Sequence, residues 1–254
     1  MIRVGTRKYT GSSFIDPSFE NFIPIIVLTK CTAYGDLGPY VIKDKKGRVF
    51  ENVWQFSKLY EKVPTTIQRY SRYDSKIIWE HKEEKHIDEK GNPTKEYWNW
   101  RKKGMYSEYG IRYPLGYGKQ HSCITALHKI KTEKNENGKK THFYECLNYI
   151  QARKQIYLKE YCKIVKKIEK FKKLKEMLNN GLNLLIIEVD GPRKESLPYY
   201  KEKYKVNDSF IENNTILITK PNMEIMLNDP KHPFGHGYCL ALALLDWEDE
   251  FVNS

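Results

Sequence analysis

The chain has 254 residues, 40% of them hydrophobic and 13% aromatic, and a formal net charge of +12 from 44 basic and 32 acidic side chains. This length suits one large domain, or one domain with sizeable insertions, whose core needs no disulfide or metal staple. No apolar run approaches the roughly 18 to 20 residues of a membrane span: the longest candidates, Phe22 to Leu28 and Leu182 to Val189, are of strand length, and Met1-Ile2-Arg3-Val4-Gly5 opens no signal-peptide segment.

Cys31, Cys123, Cys146, Cys162 and Cys239 are scattered without a CxxC pair, which reads as free thiols in a reducing, intracellular and cytoplasmic setting. The histidines show no ligand spacing, so no metal and no cofactor is expected. The basicity favours a polyanionic partner, nucleic acid or an anionic nucleotide, and no membrane. An AT-rich coding sequence yields the same Lys, Asn, Tyr and Ile abundance without selection for binding, and phosphate recognition more often enlists Arg.

Residues 1 to 21 read as turn-rich and polar. Phe22 to Leu28 predicts a strand, with Pro24 at its beginning or at a sheet edge. Thr32 to Tyr40 is a glycine-containing loop. Tyr40 to Lys43 forms a short strand that Asp44-Lys45-Lys46-Gly47 turns back into Arg48-Val49-Phe50. A helix follows and ends before Pro64. At about 100° per residue it groups Glu51, Trp54, Gln55 and Lys58 on one face and Val53, Phe56 and Tyr60 on the other. A carboxylate, an indole, an amide and an ammonium side by side suit acid/base work on a polar, ring-bearing substrate. The same stripe also describes an ordinary solvated helix face, which Trp54 resists, since a large ring amid solvent-facing residues is uncommon unless covered.

Residues 65 to 142 mix aromatic and charged side chains (Tyr70, Trp79, Tyr97, Trp98, Trp100 and Tyr113 among them) with recurrent turns and no sustained helical period. This predicts an irregular insertion, either a small aromatic satellite core or a surface where rings stack on bases and lysines hold phosphates. Glu145 to Asn180 predicts a long helix, or two broken near Phe171, with Asn179-Asn180-Gly181 as C-cap. Leu182 to Val189 predicts a buried strand running into Asp190. Residues 193 to 230 read as loop with a strand at Thr215 to Thr219. Gly235-His236-Gly237 then leads into an apolar helix, where the glycines either let backbone amides approach an anion or simply permit a tight turn.

In this order the pieces resemble the NADAR (YbiA-like) superfamily, N-glycosidases associated with NAD and ADP-ribose chemistry. That family has a glycine-containing turn, an extended segment and a helix of the form Glu-His-x-x-Gln-x-x-Lys. Gly35-Asp36-Leu37 and Val41-Ile42-Lys43 are similar to the first parts, and Glu51 to Lys58 matches the helix at Glu51, Gln55 and Lys58, with Asn52 in place of His. A family helix of the type Trp-x-x-Val-Arg/Lys-x-x-x-Met is similar to Tyr149 to Tyr157 at its basic position, Arg153, with Tyr149 for Trp and Tyr157 for Met. Leu174 to Glu188 and His236 to Leu240 resemble later segments. The family's Asn-Asp-x-x-Trp-Gly element has Asp190 as its nearest candidate here. The resemblance covers about half the chain.

It implies an α+β fold, a single mainly helical NADAR-like domain over residues 1–254 with a few short strands, and long insertions at 60–144 and 193–230. It further implies a hydrolase cleaving an N-glycosidic bond in an ADP-ribose, nucleotide-like or modified-nucleobase substrate. Glu51 would be the carboxylate that stabilises an oxocarbenium-like sugar and activates water, with Asp190 a second acid for the ribose hydroxyls. Trp54 would stack on a ring, Gln55 orient the substrate, and Lys58, Arg153 and Tyr149 line the site, with Gly235, His236 and Gly237 giving room for a phosphate. The alternative is a non-catalytic nucleic-acid-binding or nucleotide-sensing module, for which Asn52 and Tyr149 speak. A viral structural role rests on composition alone and ranks last.

Overall fold

The computed structural model describes residues 1–28, 33–63, 81–111 and 123–253. The chain mixes helices and strands and divides into two compact units, one of Met1–Ile42 with Leu158–Ser254, the other of Lys43–Tyr157. Tyr70, Trp79, Tyr113, Cys31 and Pro64 lie outside the described residues.

The first unit is built on a four-stranded sheet in the order Thr215–Leu217, Ile2–Thr6, Leu184–Glu188, Ile23–Ile26. The first pair is antiparallel and the others are parallel. Ile23–Ile26 is an edge strand, which is where Pro24, lacking an amide donor, is tolerated. Ile2–Thr6 departs from the turn-rich reading of the N-terminus, because its polar residues conceal a buried strand. Arg3 is buried there, donating to Thr215 Oγ1 at 2.8 Å and Glu212 Oε2 at 2.9 Å, with its guanidinium 3.7 Å from the centre of the Phe19 ring.

The helix His236–Leu245 is buried over all but its last residue and packs on the two central strands. Apolar character around its whole circumference is what that position demands. Helices Lys159–Val165 and Glu169–Asn179 pack against it. The stretch 193–230 belongs to this unit's architecture instead of looping out of it: it supplies the helices Leu197–Tyr204 and Lys220–Asn228 and the edge strand Thr215–Leu217.

The second unit begins before and ends after the 60–144 insertion read from the sequence. The reason is pairing: strand Lys58–Tyr60, next to the Glu51 helix, runs antiparallel to Cys123–Lys134, which pairs in turn with Lys140–Leu147. Helix Lys95–Met105 packs on them, capped by the Thr94 side chain, which accepts from the Tyr97 amide at 3.2 Å. Phe56, Leu59, Tyr60, Val63, Tyr97, Trp100, Met105, Ile111 and Leu127 form a core. Of the two readings of the aromatic segment, the satellite core therefore describes Tyr97 and Trp100.

The long helix expected from Glu145 is shorter and broken. Glu145 still belongs to the Lys140–Leu147 strand, and Asn148 starts the helix through a capping box with Gln151. A π-helical stretch covers Arg153–Leu158, and the break falls at Lys166 to Ile168, just before the helix containing Phe171.

Candidate functional site

The Glu51 helix is a short one, Phe50–Gln55, and it ends before Lys58. Ser57 Oγ donates to the Trp54 carbonyl at 2.7 Å and the chain turns into strand Lys58–Tyr60. Lys58 thus reaches the others from a strand, not from the next helical turn. The Ser57 carbonyl accepts from Leu127 N at 2.7 Å and from Arg101 Nη1 at 3.0 Å, so a buried guanidinium pins the turn that delivers Lys58. Arg101 also donates to the Leu127 carbonyl at 3.0 Å.

Glu51, Trp54, Gln55 and Lys58 are all buried, which removes the solvated-face reading. They form a hydrogen-bonded chain. Gln55 Nε2 donates to Glu51 Oε1 at 2.6 Å, and Lys58 Nζ donates to Gln55 Oε1 at 2.7 Å. The two charged neighbours fix the amide: its nitrogen must face the carboxylate and its oxygen the ammonium. Lys58 Nζ also stands 5.0 Å from the Trp54 ring centre, within cation–π range. Burial lowers the Lys58 pKa to about 8, against the opposing pull of Cys123 and Glu51. The Cys123 thiol is pushed up to about 11 by its own burial, which the charge of Lys58 only partly offsets.

Asn52 has a structural role. Fully buried, it donates to the Tyr109 carbonyl at 2.8 Å and accepts from Ile111 N at 2.7 Å, tying residues 109–111 to the helix that carries Glu51.

Tyr157 packs edge-on against Trp54, with ring centres 5.1 Å apart, and against Phe50 at 5.2 Å. That contact brings the second basic motif beside the first. Tyr149, Arg153 and Tyr157 recur at steps of four, and the π-helical winding at Arg153–Leu158 is a feature that often marks functional sites. Arg153 is buried, donates to Tyr149 Oη at 2.7 Å and has its guanidinium carbon 4.1 Å from that ring's centre.

Asp190, Gly235, His236 and Gly237 lie in the first unit. Asp190 is exposed, just past strand Leu184–Glu188. The Gly235-His236-Gly237 turn opens the apolar helix as expected, and the anion it receives is the chain's own Glu188. That carboxylate, fully buried, accepts from Gly237 N at 2.9 Å and pairs with His236 Nδ1 at 3.0 Å. A Cβ on Gly235 would collide with the Glu188 carboxylate, and one on Gly237 would lie 2.7 Å from Oε1, so both glycines make room for it. His236 Nε2 sits 3.1 Å from the Val27 carbonyl. With an acceptor at each ring nitrogen, the imidazolium is the form that satisfies both contacts. Burial works against that charge, but Glu188 outweighs it and raises the His236 pKa.

Sequence reasoning passed over Glu188 and Arg101 as functional or positioning groups. The available signals were an acidic residue closing an apolar strand at Glu188 and an arginine at an inward-facing helical position at 101. Among the described residues no cluster of three or more His, Cys, Asp or Glu side chains is arranged to hold a metal, and no helix is long and apolar enough to cross a membrane. No protein-family model, curated protein or solved structure matches this chain.

Proposed function

We propose that the chain is an N-glycosidase acting on an ADP-ribose, nucleotide-like or modified-nucleobase substrate, with Glu51 as its catalytic carboxylate. The observation that carries this reading is the buried chain from Glu51 through Gln55 to Lys58 beside the Trp54 ring. Burying an acid and a base costs several kcal/mol per ion, on the order of what a whole domain can spare. The acid and the base are joined through the Gln55 amide.

Cleavage proceeds through a sugar that gathers positive charge at C1′ as the C1′–N bond breaks and its electron pair leaves with the base. Water supplies the new C1′–O bond and gives a proton to Glu51, which returns it to solvent or to the departing base nitrogen. The carboxylate, held by Gln55, stabilises the cationic sugar before that transfer. Lys58 offers positive charge to an anionic group of the substrate. Trp54 supplies a stacking face, and Arg153, held over Tyr149, supplies a guanidinium for phosphate.

The test is incubation of the protein with NAD, ADP-ribose, nucleotides and ADP-ribosylated oligonucleotides, followed by mass spectrometry. The reading expects paired products, a free base and a ribosyl fragment heavier by one water, from at least one member. Intact substrates throughout, with all of them shown to bind, would defeat it.

A further inference from the structure

Strands Cys123–Lys134 and Lys140–Leu147 form a two-stranded ribbon whose outer part has no core of its own. From Lys129 to Thr141 every residue is exposed. Asn135 closes the tip, accepting from Lys139 N through its side chain at 2.8 Å, and Gly138 takes the left-handed conformation with φ of 72°. A free two-stranded ribbon is marginal in water, so its retention as a long arm calls for a reason.

The two faces differ in charge. The pairing Lys129↔Tyr144, Lys131↔Phe143, Thr132↔His142, Glu133↔Thr141 and Lys134↔Lys140, with an irregularity between Lys129 and Lys131, sets the faces. Alternation then puts Lys129, Thr132, Lys134, Lys140, His142 and Tyr144 on one face. Tyr144 at its base packs on Trp98, ring centres 4.8 Å apart, so this is the face continuous with the body. The opposite face carries carboxylates: Lys131 pairs with Glu133 at 2.5 Å, and His128 Nδ1 lies 2.8 Å from Glu145 Oε1.

On the inner face no carboxylate pairs with Lys129, Lys134 or Lys140 among the described residues, nor with Lys46 in the neighbouring turn. Lys46 belongs to the same field. The Lys129 pKa is lowered by partial desolvation and then by Lys46, Lys140 and Arg48, and that of His142 by desolvation and then by Lys129, Lys140 and Lys46. Arg48 is spoken for by Asp44 at 2.6 Å, which leaves the lysines as the uncompensated charge. Like charges gathered on an arm cost free energy unless a polyanion covers them.

We propose that this ribbon, with the Lys46 turn at its base, is a docking arm for double-stranded DNA. Six residues of extended strand reach about 20 Å, and two strands about 5 Å apart with their side chains match a major groove about 12 Å wide. The deep, narrow major groove of an RNA duplex admits no such ribbon. For stacking on a single strand, the lysine-bearing face offers the half-buried Tyr144 ring and the His142 imidazole, while the exposed Phe143 ring lies on the opposite face. The arm's binding is independent of whether Glu51 turns a substrate over.

The test is fluorescence anisotropy with a labelled 20-base-pair DNA duplex at a series of salt concentrations. It compares the full chain with the combined Lys46→Gln, Lys129→Gln, Lys134→Gln, Lys140→Gln variant. A charge-neutral outer-face control carries Lys131→Gln and Glu133→Gln, and circular dichroism confirms that each variant is folded. Losing four phosphate contacts lowers the slope of log K against log salt by about 3 to 4 and weakens binding more than about tenfold at low salt. The control should bind like the wild type. The proposal is overturned if the wild type ignores the duplex at low salt, if the quadruple variant keeps its slope, or if an RNA duplex or a single strand binds as well as the DNA duplex.

Discussion

Glu188→Gln isolates the charge at the Gly-His-Gly turn while preserving the shape of the side chain. In the wild type, Glu188 serves two partners from a fully buried position, the Gly237 amide at 2.9 Å and His236 Nδ1 at 3.0 Å. Charge-assisted hydrogen bonds are worth about 1.5–3 kcal/mol against about 0.5–1.5 for neutral ones, so neutralising the acceptor loses about 1 kcal/mol at the amide. At His236 the loss depends on pH. The folded-state pKa of His236 is raised above its ordinary 6.5, so the stabilisation it brings is fully present below about pH 6.5 and is lost as pH rises through the higher folded value. In the variant, a neutral imidazole can keep its Nε2 proton on Val27 and accept from the new amide, so the network is again satisfied at high pH. The destabilisation should therefore be about 3 kcal/mol near pH 6, where an imidazolium loses its buried partner, and about 1 kcal/mol near pH 9. Urea unfolding followed by circular dichroism at the two pH values measures both. Equal destabilisation at pH 6 and pH 9, or none at pH 6, would refute the ion-pair assignment.

Gly104→Ala should destabilise the protein despite Ala's better helix propensity, because a Cβ there would collide with the Phe56 ring. Overpacking of this kind costs about 1–3 kcal/mol, read as a lower urea midpoint with an unchanged m value, and a stabilised variant would contradict the packing. Lys58 holds its proton to about pH 8 in the folded chain and to about 10.5 when exposed, so between those values the unfolded chain binds more protons and stability rises with pH. Lys58→Met should abolish that rise, measured as the difference in unfolding free energy between pH 7.5 and 9.5. An identical pH slope in wild type and variant would remove the buried ammonium from the account.

The helix Lys95–Met105 was legible in principle, since Tyr97, Trp100, Arg101, Gly104 and Met105 fall at helical spacing and all are buried. An arginine and a glycine on the inward face broke the apolar pattern, and Arg101 is inside because three carbonyl and hydroxyl groups accept its protons. The ribbon escaped notice for the opposite reason. With both faces of its outer part in water, neither strand alternates there between apolar and polar residues, and only Asn137-Gly138 marked the turn. In the Glu51 segment the expected helix stops at Gln55, short of Lys58. Glu51, Gln55 and Lys58 do meet, but a strand delivers Lys58, and the helical spacing coincided with that outcome. Glu188 was visible only as the acid that closes an apolar strand. Its partner lies 48 positions away at His236, and nothing local to either residue announces the pair.

The proposed glycosidase is tested most directly by single-turnover base release, quantified by mass spectrometry, from an ADP-ribosylated or nucleotide substrate with wild type and Glu51→Gln side by side. Gln at 51 keeps the volume and can still hydrogen-bond to Gln55, so the fold and substrate binding should be retained. Loss of the carboxylate should cost at least about 10²-fold in rate. Base release at the wild-type rate from the variant would place the chemistry elsewhere in the molecule.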